Sequence, residues 1–442
     1  MPKLTRAKAT TRRPQFLLPV LPLALLVACG DTGDGSATGA AGTLDGPDVI
    51  VNAVTEEVFT AGSVVGDGWD TFGSVGSVQF DAQANLHIFD SQANHILVVG
   101  PDGSLIRTVG GQGDGPGELD SANRPIVARD GSYTVMGSSR IDLFDPSGEF
   151  VRRIAQDPMT TGIVIASMAL PDGRLVTSRI LRFDDSEQPE EGGRPIYLFP
   201  PLDGAEAELL YTAWDLPEEP ADEPTVSGSA ESGLRMNLSA GRALEPRLDF
   251  DVLTDGRLAL IDSIGYRVKL IGLDGSVTGT IERPIAPLPL DEEIMEAARE
   301  RFREQRTDFL ASVSNLAMQI DREGAEGLTF AEEVPVLWGL KADWENRIWL
   351  ERRGPTGADG GPTDIVTPDG DYIGTLAPDG LRTPSAFGPD GLMAYIESDE
   401  LDVQTVRVVR LVALEPEGLS LGPRVRATGH GGRQAGLDRL RF

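Results

Sequence analysis

An all-β fold assembled from repeated four-stranded units is the class this sequence predicts, and three observations predict it. Glycine and proline are abundant, at 52 and 31 residues, and the apolar segments are short, so the chain turns often and favours strands. A tight turn between two alternating segments recurs six times, at Ala84-Asn85, Asp130-Gly131, Asp172-Gly173, Asp255-Gly256, Glu345-Asn346 and Asp390-Gly391. The steps between these turns are 46, 42, 83, 90 and 45 residues, and three of them match one four-stranded blade. Six such units in a ring make a six-bladed β-propeller.

The first element from the N-terminus is a leader. Lys3, Arg6, Lys8, Arg12 and Arg13 precede the apolar run FLLPVLPLALLVA, which is too short and too Pro-broken to span a bilayer well and reads as a secretory signal. Leu26-Val27-Ala28-Cys29 resembles the lipobox of bacterial lipoproteins, and the resemblance implies cleavage before Cys29 and acylation of its thiol. Gly30 follows the cysteine and Asp31 comes one place later, which under the same resemblance favours the outer membrane or cell surface over the inner membrane. Cys29 is the only cysteine, so disulfides and thiol nucleophiles are excluded from the folded body. The expected organisation is a signal peptide over 1–28, a small, polar, flexible tether over 29–47, a propeller over 48–420 and a basic tail over 421–442.

The blades follow in order. Phe80 to Gly103 and Val252 to Gly275 read alike: alternating strand, tight turn, strand ending in Asp-Ser (Asp90-Ser91, Asp262-Ser263), strand, then an Asp-Gly turn. That second turn recurs at Asp102-Gly103, Ser147-Gly148, Asp203-Gly204, Asp274-Gly275 and Asp369-Gly370. In the sixth unit Glu417-Gly418 stands near this place; otherwise its last strand comes from elsewhere. Val58 to Gly62 offers that strand, since it parallels Leu105 to Val109 but has no blade of its own, and a strand from the N-terminus would close the ring without a raw edge. The two long steps hold insertions. Leu216 to Ala243 is Glu-, Pro- and Ser-rich with little strand pattern, whereas Leu290 to Ile320 reads as a helix capped by Asp291, with Ile294, Ala298 and Phe302 on one face. The helical insertion is placed at about 285–325.

Leu86-His87-Ile88-Phe89-Asp90-Ser91, Gly100-Pro101-Asp102-Gly103 and the stretch GGQGDGPGE from Gly110 to Glu118 together resemble the six-bladed β-propeller lipoproteins related to NHL-repeat proteins. The resemblance covers roughly residues 54 to 414 and implies mainly fold, because that wider group includes binding modules and a few lyases. GGQGDGPGE joins the outer strand of one unit to the inner strand of the next. It lacks the helix a Rossmann loop needs, the Gly-Lys-Ser/Thr of a P-loop and the tandem copies of a calcium nonapeptide, so it reads as a structural joint, with Asp114 and Glu118 as its only candidate cation ligands.

Other chemistry is sparse. The chain has three histidines, His87, His95 and His430, too few for the several channel ligands that zinc-dependent propeller lyases use, and it has no G-x-S-x-G elbow. Six-bladed lactonases and phosphotriesterases bind calcium in the channel through Asp, Glu and Asn. Asp90, Asp262 and Asn346 fit that pattern, although Asp90 and Asp262 recur at equivalent strand ends as structural residues would. Trp338, Trp344 and Trp349 cluster at the fifth unit, Trp349 as core and Trp344 as a possible stacking surface for a sugar or peptide. Arg299, Arg301, Arg303 and Arg306 on the inserted helix have Glu296, Glu300 and Glu304 as helix-spaced partners. Those pairs suit a solvated helix over one propeller face; a lid over the channel or a partner-binding arm is the sharper reading. The tail carries Arg424, Arg426, Arg433, Arg439 and Arg441 against Asp438.

The net charge of −30, more acidic still without the leader, repels phosphate backbones and excludes nucleic acid as a partner. The expected role is a lipid-anchored, monomeric, non-catalytic module that binds a protein, peptide or glycan at the cell envelope. A calcium-dependent hydrolase or lactonase in the channel is the alternative, and calcium is the only cofactor either reading admits. No catalytic, metal-binding or ligand-binding residue is assigned beyond these candidates; Cys29 is the expected lipid attachment site.

Overall fold

The computed structural model describes residues 42–63, 68–119, 124–137, 140–155, 163–181, 193–199, 207–214, 225–229, 233–312 and 319–417. Cys29 and the expected leader, most of the expected tether, Asp203-Gly204, Gly418, His430 and the expected basic tail lie outside them. The first strand, β1 (Val51–Ala61), belongs to the last blade. Blade 1 is β2 (Val75–Phe80), β3 (Leu86–Asp90), β4 (His95–Val99) and β5 (Leu105–Gly110). Blade 2 is β6 (Arg124–Val127), β7 (Tyr133–Met136), β8 (Arg140–Phe144) and β9 (Phe150–Ala155). Blade 3 is β10 (Ile163–Ala169), β11 (Leu175–Leu181), β12 (Gly193–Phe199) and β13 (Glu208–Trp214). An insertion then contributes β14 (Thr225–Ser229), β15 (Gly233–Leu238) and β16 (Arg242–Ala243). Blade 4 is β17 (Asp249–Val252), β18 (Leu258–Ile261), β19 (Arg267–Ile271) and β20 (Val277–Glu282). A second insertion holds β21 (Leu288–Pro289), helix α1 (Glu292–Ser312), β22 (Gln319–Arg322), β23 (Thr329–Phe330) and β24 (Glu333–Val334). Blade 5 is β25 (Leu337–Ala342), β26 (Ile348–Arg352), β27 (Thr363–Val366) and β28 (Tyr372–Leu376); β29 (Ala386–Phe387), β30 (Leu392–Ser398) and β31 (Gln404–Pro416) begin blade 6.

The ring closes as the N-terminal strand suggested. β1 pairs antiparallel with β31 from Val51 opposite Pro416 to Ala61 opposite Val406, with two bulges, and becomes the outer strand of blade 6. The Glu417 amide donates to the Ile50 carbonyl at 2.8 Å, and Gly418 lies outside the described residues. Each of the six blade interfaces has its own apolar cluster, so the core is a ring of six seams. Turn glycines set the spacing of these seams. Gly148, at φ 87°, lies so close to β5 that an added Cβ would sit 2.4 Å from Val109 Cγ2; at Gly275, φ 79°, it would meet the Leu210 carbonyl oxygen.

Antiparallel strands put the short first-to-second and third-to-fourth turns on one face of the ring. The blade-to-blade joints and both insertions emerge on the other, here called the loop face. The insertions fold together. β15 pairs with β14 and, in parallel, with β22, and β16 pairs in parallel with β23. Two expectations are corrected here: part of 216–243 is a β-hairpin, and the helix ends at Ser312, so that 319–322 is strand. β14 and β15 pair with each other, while β15 and β22 find each other across the two insertions, a partner edge invisible locally. Asp291 caps α1 through the Ile294 amide at 2.9 Å, and Ile294, Ala298 and Phe302 are buried as their spacing requires. The helix packs on this satellite and on the loop of blade 5, where Arg301 donates to the Thr356 carbonyl. Arg299 and Arg303 pair with Glu296, and Arg303 also with Glu300, on the exposed side.

Residues 42–47, expected to be tether, are docked on the propeller. Arg283, buried at the end of blade 4, donates to the carbonyls of Leu44 and Gly46 at 3.2 Å each and to Asp364 Oδ2 at 2.7 Å, with its guanidinium 4.4 Å from the Tyr372 ring centroid. Asp48 bridges Arg283 and Arg352 at 3.0 and 2.6 Å; burial opposes its ionisation, but the two guanidinium groups hold its carboxyl below the usual range.

Candidate functional site

The six inner strands, β2, β6, β10, β17, β25 and β29, surround a channel that encloses a cavity of about 210 Å³. An inner strand has one backbone edge with no strand beside it, so its amides need other partners. Alternate residues of β17 supply them: Asp249 accepts from the Leu340 amide and Asp251 from the Ala342 amide, both at 2.9 Å. Gln79 does the same between blades 1 and 2, accepting from the Val127 amide at 3.0 Å and donating to the Pro125 carbonyl at 2.7 Å. Burial pushes the Asp249 carboxyl up to about 6, against the Leu340 hydrogen bond and with help from Asp251. Lys341 donates to the Pro384 and Ser385 carbonyls at 2.8 and 2.9 Å. Asp343 is held by Arg347 and by Trp349 Nε1 at 2.9 Å.

The residues singled out for calcium do not converge. Asp90 accepts from the amides of Gly73, Ser74, Gln92 and Ala93 at 2.7 to 3.1 Å, which fixes a loop. Asp262 pairs with Lys269 at 2.7 Å. Asn346, at φ 64°, accepts from the Thr254 amide and hydroxyl across the seam between blades 4 and 5. None of the three lines the channel cavity. Among the described residues no three His, Cys, Asp or Glu side chains stand within reach of one metal ion. His87 is buried between Tyr133 Oη at 2.9 Å and Asp81 Oδ2 at 3.1 Å in the seam between blades 1 and 2, and His95 begins β4. In the glycine-rich joint, Asp114 pairs with Arg140, while Glu118 accepts from the Gly115 amide at 2.7 Å. Arg153 ties down the Asp114 and Gly115 carbonyls at 3.0 and 3.2 Å, so the joint is pinned by protein groups.

The three tryptophans separate by role. Trp349 is fully buried against Phe387. Trp344 reaches the channel, where the Arg129 guanidinium lies 4.5 Å from its ring centroid. Trp338 lines a larger cavity, about 350 Å³, on the loop face between blades 5 and 6, together with Glu351, Asp359, Arg382, Thr383 and Tyr395. Trp338 and Thr383, which line it, have their Nε1 and Oγ1 buried with no hydrogen-bond partner among the described residues. The rest of the wall is braced. Tyr395 donates to the Arg382 carbonyl at 2.9 Å and carries Arg407 over its ring, and Arg407 is held by Glu397 at 2.7 Å. Glu351 lies over Gly339, where an added Cβ would approach its Oε2 to 2.2 Å. Sequence reasoning reached Trp338 only as one of a cluster. Arg382 and Thr383 sit in a joint with no motif, and only the packing of blade 6 against blade 5 brings them to the cavity that Trp338 lines.

No protein-family model matches the chain, and no curated protein sequence matches it. Solved structures do. A member of the DUF4221 family from Bacteroides vulgatus ATCC 8482 aligns with a TM-score of 0.51 at 12% identity, covering 82% of this chain and 99% of that one. The likeness is one of fold. A Bacteroides fragilis NCTC 9343 protein described as exported aligns at TM-score 0.44 and 11% identity, covering 86% and 97%. A gluconolactonase of Xanthomonas campestris aligns at 0.34 and 13%, covering 83% and 98%. No helix among the described residues is long and apolar enough to cross a membrane.

Proposed function

We propose that this protein is a non-catalytic binding module of the cell envelope, anchored through lipid on Cys29, with the cleft between blades 5 and 6 as its site and a short glycan segment as its ligand. The observation that carries the reading is the pair of buried, unpartnered groups, Trp338 Nε1 and Thr383 Oγ1. A buried donor without an acceptor costs about 1–3 kcal/mol, and a ligand that supplies the acceptor recovers that energy. Sugar hydroxyls both donate and accept. They match a wall that mixes the indole N–H and threonine hydroxyl with the Glu351 and Asp359 carboxylates and the Arg382 guanidinium. The cavity of about 350 Å³ is at the small end of ligand pockets, which suits a short segment. The loop face is also where both insertions emerge, so long inserted loops surround a rigid ring. A calcium-dependent hydrolase or lactonase is the competing reading; binding is preferred because the channel carboxylates Asp249 and Asp251 accept backbone amides of blade 5.

The test is calorimetric titration of the purified full chain with envelope-type oligosaccharides and with peptides of similar size. Trp338→Phe and Thr383→Val each remove an orphaned donor, so both are expected to leave the apo protein as stable or more so. Each is expected to weaken glycan binding about 3–10-fold, the worth of one neutral hydrogen bond. Binding of peptides alone would replace the glycan reading. Retention of one calcium ion together with lactone or ester hydrolysis would overturn the binding reading.

A further inference from the structure

The turn-face end of the channel holds a second feature, independent of the cleft. Arg129 follows β6 in the first turn of blade 2, and Trp344 follows β25 in the first turn of blade 5, directly across a six-bladed ring. Their side chains meet in the channel cavity, with the guanidinium 4.5 Å from the indole centroid. Among the described residues nothing accepts a hydrogen bond from that guanidinium. The chain has 69 acidic residues, and several arginines packed into the blades hydrogen-bond a carboxylate, as Arg153 does Asp142, Arg283 Asp364, Arg347 Asp343 and Arg352 Asp48, whereas Arg107 donates to the Pro146 carbonyl. Arg129 has the Asp251 carboxylate as an electrostatic neighbour but makes no hydrogen bond to it.

The charged neighbours make their hydrogen bonds to other groups. Asp251 accepts from the amides of Val252 and Ala342 at 2.7 and 2.9 Å, Lys341 donates to two carbonyls, and Asp343 is matched by Arg347. The remaining wall is mostly apolar, including Phe80, Met168 and Phe387. A flat guanidinium stacked on an indole keeps its N–H edge free, and that edge matches the two oxygens of a carboxylate.

We propose that the channel floor formed by Arg129 and Trp344 is a binding site for a small aliphatic carboxylate, its oxygens on Arg129 and its hydrocarbon chain against the apolar inner strands. At about 30 Å³ per water-sized group, the cavity takes roughly seven non-hydrogen atoms, which is the size of butyrate or pentanoate.

The experiment titrates the full chain with butyrate and pentanoate, and in parallel with butyramide and pentanamide, following indole fluorescence and heat. Saturable binding of the acids, at least tenfold tighter than of the amides, is the expected result. It should be reduced at least tenfold in Arg129→Gln and lose its fluorescence response in Trp344→Phe, with Thr383→Val unchanged. Equal binding of acids and amides, or no acid binding up to tens of millimolar, overturns the proposal. The acid-to-amide comparison needs only the wild-type chain, so a failure of Arg129→Gln to fold does not remove the test. A loss of binding in Thr383→Val would move the site to the loop-face cleft and also refute the proposal.

Discussion

Replacing Asp364 by Asn tests the clasp that fastens the N-terminal segment to blades 4 and 5. Asp364 is fully buried; one oxygen takes Arg283 at 2.7 Å and the other takes the Thr375 hydroxyl at 2.6 Å. Asn keeps the shape and deletes the charge, leaving a guanidinium that is 1% exposed with Asp48 as its remaining counter-ion. Breaking a buried pair from one side costs about 3–5 kcal/mol, and Asp48, itself 35% exposed, holds the value toward the lower figure. At roughly 2 cal/mol/K per residue, a folded body of about 360 residues loses about 4–7 °C in melting temperature. The assay is a thermal melt at one fixed scan rate, paired with limited proteolysis by a protease that cuts near residues 42–50, which should cleave there sooner in the variant. The double variant Arg283→Met, Asp364→Asn should recover part of the loss, because it no longer buries an unpaired charge. A shift under 1 °C, or a double variant that loses the sum of the two singles, would refute the claim that an ion pair holds the clasp.

Gly148→Ala forces a positive φ on a side-chain-bearing residue and drives its Cβ into Val109, so about 2–4 kcal/mol of stability should be lost in a urea titration, with no effect on glycan binding. Asp249 makes a pH-dependent contribution of known sign. Its folded carboxyl titrates near 6, above the unfolded value, so its contribution is fully present below about pH 4 and is lost as pH rises through 6. Asp249→Asn should therefore gain stability relative to wild type between pH 4 and 6.5; a difference that stays flat across that window would contradict the assignment. Deleting residues 1–61 removes β1 and bares the edge of β31, and the product should oligomerise or precipitate, whereas deletion of 1–41 should leave a monomer by light scattering.

Much of the fold was legible because propeller blades are local. Each tight turn joins strands only a few residues apart, so glycine, asparagine and aspartate at positive φ mark the hairpins in the chain itself. Ala84 and Asp390 take that conformation in two of the six, beside the Asn85 and Gly391 that the sequence singled out. The outer strand Val58 to Gly62, seen as a strand without a blade, was legible for the same reason, by its likeness to Leu105 to Val109. The capped helix at Asp291 follows a local rule and came out as read, apart from its C-terminal end.

What the sequence by itself determined is thus the six units, their order, the closing strand, and the absence of thiol chemistry in the folded body. What only the tertiary structure decided is everything that depends on which blades face each other. The pairing of the two insertions through β15 and β22 joins segments about 80 residues apart, and no local pattern marks either edge. Trp338 meets Thr383 and Arg382 only because blades 5 and 6 are neighbours, and Arg129 meets Trp344 only because blades 2 and 5 are opposite in a ring of six. A hairpin is encoded by the residues that make it; a cleft between blades or the floor of a channel is encoded by ring geometry, which no window of the sequence contains.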